Sequence, residues 1–263
     1  MGKMVSGVLA LMVFAVCFNM PAYAEDGTDS AWRVSVAPFI WFIGIEGTAN
    51  VKGRSADVNM NFSDILSNLD MVGEINIEAG TDKYGVFVQP NYLDMSDEVT
   101  STLPISGAQV KSTITCTTTF IEFGGFSRLV DVRRETGGHN TIDLLGGLRY
   151  WDMTNEVKLS VPTAGVDRTV KADTNLLDPF VGLRMKAYIA DKVPYSLRAD
   201  IGGLNTGSSS SFTYNLQALL GYDFTQSITM FGGYRVLYVD FGDSQAGADI
   251  KLHGPALGVN ITF

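Results

Sequence analysis

The sequence predicts an all-β chain folded as a closed antiparallel transmembrane β-barrel of about ten strands. Three observations predict it. First, apolar and polar residues alternate with a period of two over long segments. From Phe212 to Phe224, for example, Phe212, Tyr214, Leu216, Ala218, Leu220, Tyr222 and Phe224 alternate with Thr213, Asn215, Gln217, Leu219, Gly221 and Asp223. Second, the connections between such segments alternate between short and long. Third, the chain stops on ALGVNITF, a strand-like alternation ending in Phe263, whereas most soluble domains end in a frayed polar tail.

Composition narrows the class further. The 263 residues are 46% hydrophobic and 18% charged, too apolar and too weakly charged for a disordered chain. The formal net charge of −9 argues against a nucleic-acid partner, which a protein usually meets with a basic surface. Residues 1–24 read as a signal peptide: Lys3, then an apolar run from Val8 to Phe18, then Ala22-Tyr23-Ala24 as the small-x-small cleavage pattern. Cys17 does not read as a lipidation site, because Val16 stands where that signal needs a small residue. Cleavage after Ala24 would leave residues 25–263 as the barrel, with Cys116 as the single cysteine and therefore no internal disulfide.

Taken in order, the strands are expected at 31–50, 72–81, 84–97, 110–129, 140–154, 171–190, 194–204, 211–223, 227–241 and 249–263. Alternation is noisier in the first and fourth, so eight or twelve strands stay compatible with the pattern. Short connections fall at 81–83, 191–194 and 223–226, and a longer one on the same side at 131–140. Long polar connections fall near 52–71, 96–110 and 155–172, with shorter tips at 205–211 and 242–248. Short turns on one side and long loops on the other suit an outer-membrane barrel, whose even strand number brings both termini to the short-turn side. A soluble sandwich would use strands of about five or six residues, whereas a spanning strand needs about 9–11, with aromatics near its ends. Tyr84 with Tyr92, Tyr195, and Tyr234 with Tyr238 mark such ends.

The faces opposite the apolar ones carry charges in mid-strand. Glu74, Glu78, Glu122, Asp143, Arg149, Asp178, Arg184, Arg198, Asp200 and Arg235 form a candidate lumen network, because a charge inside a narrow barrel must be paired or wetted. Phe39, Trp41, Trp151, Phe180 and Tyr188 would narrow the same lumen. In the first long connection, Phe62, Ile65, Leu66 and Leu69 recur at helical spacing, with Ser63 and Asp64 able to cap a short helix. That helix would serve as a plug in the mouth or would pack on the rim.

The terminal Gly258, Ile261 and Phe263 resemble the assembly signal of bacterial outer-membrane barrels. With the signal peptide and the alternating segments, the chain resembles small Gram-negative outer-membrane barrel proteins of the general OmpA/OmpW-like kind. The stretch NFSDILSNLDM, 61–71, is also similar to a recurring pattern in uncharacterised proteobacterial barrels. The resemblance covers nearly all of the chain after residue 24. It implies a bacterial outer-membrane location, contact with outer-membrane lipid and lipopolysaccharide, and recognition of the last strand by the barrel-assembly machinery. It supplies no site residues and leaves the oligomeric state open. No second soluble domain is expected.

Catalytic signatures are weak. Barrel proteases pair Asp-x-His with further acids, but Lys251 stands two before His253. Barrel lipid hydrolases place Ser and His two apart, yet the residues at that distance are Lys251 and Pro255 for His253, and Gly137 and Thr141 for His139. The sequence reading is therefore that the chain is not an enzyme and holds no cofactor or metal. The acids at 94–98 lack the spacing of a calcium loop. Two functions remain: a narrow passive pore or small-solute binding channel, motivated by the polar lumen, and a non-conducting structural or surface-interaction barrel, motivated by its crowding.

Overall fold

The computed structural model describes residues 32–51, 54–60, 69–102, 109–161, 166–206, 208–242 and 246–263. Among the described residues twelve strands form one antiparallel sheet: β1 Arg33–Trp41, β2 Gly44–Val51, β3 Arg54–Met60, β4 Leu69–Gly80, β5 Tyr84–Thr102, β6 Gln109–Arg133, β7 His139–Val161, β8 Val166–Ala190, β9 Val193–Gly202, β10 Phe212–Asp223, β11 Ile228–Gly242 and β12 Ala246–Thr262. The ring runs β1–β4–β5–β6–β7–β8–β9–β10–β11–β12 and closes where β12 pairs with β1. β1 and β2 form a single stave, because β1 pairs with the end of β12 and β2 with its beginning, from Ala246↔Val51 to His253↔Gly44. The barrel thus has ten staves, and β3 is an extra strand folded back on β2.

The outer face is apolar between two aromatic belts. Near the short turns lie Trp32 edge-on to Tyr84, and Tyr222 edge-on to Phe224. Toward the other end, Tyr214 stacks on Tyr238 with centroids 5.1 Å apart, flanked by Phe212. Between the belts Val181, Leu183, Leu197, Ile201, Leu216 and Leu220 are exposed. From Phe212 to Tyr222 is ten residue steps of about 3.4 Å, tilted by about 40°, which gives a band roughly 25 Å tall, the height of a bilayer's apolar layer. Leu183 sits near mid-band, so Leu183→Lys is expected to cost about 2–4 kcal/mol in a bilayer. Urea unfolding in lipid vesicles measures this, and an unchanged midpoint would mean that this face does not meet lipid.

Several expectations are corrected. The loops expected at 96–110 and 155–172 are largely strand, with β5 running to Thr102, β6 starting at Gln109, β7 reaching Val161 and β8 starting at Val166. The wall of β6, β7 and β8, at 25, 23 and 25 residues, stands well beyond the apolar band. Out there both faces are wet, so side-chain alternation fades while backbone pairing continues, from Thr117↔Thr154 to Lys111↔Ser160. Asp94 and its neighbours lie in β5, where Thr117 Oγ1 donates to Asp94 at 2.9 Å and Met95 turns inward. β3 occupies residues whose sequence reads as loop, and β6 extends to Arg133 before a turn in which Gly137 and Gly138 hold φ of +93° and +78°. That backbone favours glycine. Leu69 begins β4, paired with Met95, instead of ending a helix. Phe62, Ile65 and Leu66 lie outside the described residues, as does the leader segment 1–24.

Candidate functional site

Period-two parity turns one side chain in two toward the barrel axis, and the inward set sorts into layers. The middle layer is charged. Arg149 on β7 donates from Nε to Glu122 at 3.1 Å, from Nη2 to Asp200 at 2.8 Å and from Nη1 to Thr213 at 3.1 Å. Arg198 on β9 bonds Glu122 at 2.7 Å and Asp200 at 2.8 Å. Arg235 on β11 donates to Glu122 at 2.6 Å, to Asn215 at 3.0 Å and to Asn91 at 3.3 Å. Glu122 therefore serves three guanidinium groups. Glu74 faces Arg235 Nη1 at 3.6 Å, and neither of its oxygens has a hydrogen-bond partner. Three arginines face three acidic side chains in this layer. Glu122, Arg149 and Arg235 are at most 1% exposed.

Toward the short turns sits a second cluster. Arg184 grips Glu78 with both Nη atoms and Asp143 through Nη2 at 2.8 Å, Arg128 bonds Asp143 at 2.9 Å, and Lys186 bonds Glu78 at 3.1 Å. Aromatic rings lie against the arginines: Arg184 is 4.9 Å from the Phe126 centroid, Arg149 5.2 Å from Phe180, and Arg235 4.8 Å from Trp41. Above the charged layer is an apolar one, built from Trp41, Ile43, Phe120, Trp151, Leu237 and Leu252, with Phe120 and Trp151 at 4.8 Å between centroids.

Nine of the ten charged residues singled out in the sequence thus meet in these two clusters. Asp178 does not: its oxygens accept from Trp151 Nε1 at 3.0 Å and from the Ser210 N–H at 2.7 Å, which ties the 203–211 connection to β8. The candidate network read from the sequence left out Arg128, Lys186, Asn91, Thr213 and Asn215, although alternation already set Lys186, Thr213 and Asn215 opposite the apolar face. Parity could have found them, since Arg128 follows Glu122 by three steps of two and Lys186 follows Arg184 by one.

Of the terminal residues, Gly258 pairs with both Phe39 and Phe231, Ile261 with Val36 and Ile228, and Phe263 extends the ladder by donating its N–H to Val34 at 2.8 Å. His139 contacts Asp131 at 2.6 Å, and His253 contacts the Tyr234 hydroxyl at 2.7 Å. At the short-turn rim Arg33 hydrogen-bonds Asp82, and that bond holds the Asp82 carboxyl below the usual carboxylate range.

A ten-stave barrel with two aromatic belts, an apolar outer face and a tall wall on one side is the fold of outer-membrane β-barrels. The chain is similar to the outer membrane protease OmpT of Escherichia coli, with a TM-score of 0.58 and 10% identity over 92% of this chain and 99% of that one. Similarity to the translocator domain of the autotransporter NalP of Neisseria meningitidis has a TM-score of 0.42 and 14% identity, over 98% and 96% of the two chains. Similarity to Ail, the attachment invasion locus protein of Yersinia pestis, has a TM-score of 0.35 and 13% identity, over 88% and 99%. No protein-family model matches the chain, and no curated protein matches it. The sequence reading that excluded an enzyme is corrected by the first of these. A protease is built on this fold, so the missing His-based patterns exclude particular known constellations and not catalysis on such a barrel.

Proposed function

We propose that this chain is a bacterial outer-membrane barrel whose lumen is closed to solutes and whose tall wall is displayed outside, giving it a structural or surface-interaction role in place of a pore. The observation that carries the reading is the stacking of two buried layers across the lumen. The charged layer around Glu122 and the apolar layer around Trp41 and Trp151 leave those three side chains 0–1% exposed. Ions cross a pore through water, and the buried guanidinium groups of this layer spend their donors on Glu122, Asp200, Asn91, Thr213 and Asn215, which leaves little room for a continuous water path. Outside the band, outward residues of β7 and β8 such as Asp152 and Lys171 are polar and exposed, which suits a wall standing in water.

On this reading residues 1–24 direct export and are cleaved after Ala24. Gly258, Ile261 and Phe263 are read by the barrel-assembly machinery, which supports placing the chain with the OmpA/OmpW-like kind. The belts contact lipid on one side and lipopolysaccharide on the other. Planar-bilayer recording of the refolded chain tests the closed lumen: the expected result is no discrete steps from protein shown to be folded by its changed migration before and after boiling. Reproducible small steps from the same sample would overturn it and restore the narrow-pore reading.

A further inference from the structure

Below the charged layer the lumen opens into a cavity of about 380 Å³ at the short-turn end, within the range of small-ligand sites. Its chemistry is divided. One side is apolar and aromatic, with Phe87, Phe126 and Leu145 packed together. The polar side is cationic: Arg33, Arg128, Arg184, Lys186 and Arg198 all reach the cavity wall, and among the described lining residues Glu78 is the single carboxylate. The acids that offset the arginines stand behind them. Asp143 takes Arg128 and Arg184, Glu122 and Asp200 take Arg198, and Asp82 takes Arg33.

Lys186 is the exception. Among the described residues its ammonium pairs with Glu78 alone, which Arg184 already grips with both Nη atoms. The Lys186 side chain is 43% exposed, and an ammonium has three donors. Two of them therefore have no acceptor among the described residues, and Lys186 lines the cavity. Gln217 and Asn76 line the same space and offer neutral donors.

We propose that this cavity binds a small organic anion, its acid group held by Lys186 beside Arg184 and Arg128 and its apolar body laid against Phe87, Phe126 and Leu145. A cation that lacks a full counter-charge gains most from an incoming carboxylate, sulfonate or phosphate. The ring wall supplies an apolar surface that a bare inorganic ion would not use. Among the described residues the site opens to solvent at the short-turn end, below the charged layer. It does not depend on which membrane the barrel occupies, nor on whether the lumen conducts.

The test uses the refolded full chain in detergent and isothermal titration with phenyl phosphate, benzyl alcohol and inorganic phosphate as probes. The expected result is saturable one-to-one binding of phenyl phosphate, at least tenfold tighter than either other probe and weakened by added salt. Lys186→Gln is expected to weaken it tenfold or more. Ser196→Glu gives a second variant: Ser196 is the cross-strand partner of Lys186 and lines the cavity, so a carboxylate there competes for the ammonium. It too is expected to weaken binding tenfold or more, with barrel folding checked by migration on a detergent gel. Equal binding of the neutral and charged probes, binding indifferent to both variants, or no binding of phenyl phosphate at millimolar concentration would each overturn the proposal.

Discussion

Glu122→Ala is expected to remove about 3–5 kcal/mol from the folded barrel, the cost of leaving buried cations without their partner. The reason is the geometry of one residue. Glu122 accepts from Arg149 at 3.1 Å, Arg198 at 2.7 Å and Arg235 at 2.6 Å, and all four side chains are at most 8% exposed. Removing the carboxylate leaves three guanidinium groups facing one another. Asp200 still compensates Arg149 and Arg198, but Arg235 keeps only Glu74, at 3.6 Å, and neutral amides. Glu122→Gln keeps one acceptor and the side-chain volume and is expected to cost less. The measurement is the urea or guanidinium midpoint of the barrel in detergent, compared for the two variants. Equal, small effects of both would mean that water enters the layer and screens it, which would also undo the closed-lumen reading.

The same residues show how much of the molecule is legible in the sequence. Period two separates the faces, and the strand-end aromatics with the terminal Phe263 give the barrel, its ten staves and the inward set. For that reason parity places the charges on Glu122, Arg149, Arg184, Arg198, Asp200 and Arg235 in one lumen. Which charge meets which depends on register and shear, and neither is written in alternation. Asp178 shares its inward parity with Arg184, yet it ends at the 203–211 connection because that connection folds back against β8. The long outer wall escapes the sequence because the cue is amphipathicity, and amphipathicity disappears where both faces touch water. The charged stretch Asn155-Glu156-Val157-Lys158 looks like loop and pairs as strand. Leu69 misleads for the opposite reason: a helical spacing of apolar residues continues into a segment that the sheet recruits. The break between β1 and β2 leaves no periodic trace beyond the noise in 31–50.

That break sets the last expectation. Gly254→Val is expected to cost more than about 4 kcal/mol, in the range of substitutions that prevent a fold from forming. At this point β12 passes from pairing with β1 to pairing with β2, and Phe42 bridges the gap by donating its N–H to Pro255 at 2.8 Å. Trp41 Nε1 donates to the Gly254 carbonyl at 3.2 Å. A Cβ at Gly254 would lie 1.9 Å from the Phe42 carbonyl oxygen. The clash is with backbone, so no rotamer relieves it. It can be relieved only by moving the β1–β2 stave off β12, which is the seam that closes the ring. An opened seam in lipid leaves unpaired N–H and C=O groups at the edge, each costing several kcal/mol. Gly232→Ala is the control: the nearest atom to a Cβ there is Leu257 Cδ1 at 3.5 Å, an ordinary contact, and the expected change is within about 0.5 kcal/mol. Refolding yield, read as the fraction of protein whose gel migration changes on boiling, separates the two. If Gly254→Val refolds as well as Gly232→Ala, the β12 strand does not need that close approach, and closure must be secured lower down, where β12 pairs with β1 through Phe39, Val36 and Ser35.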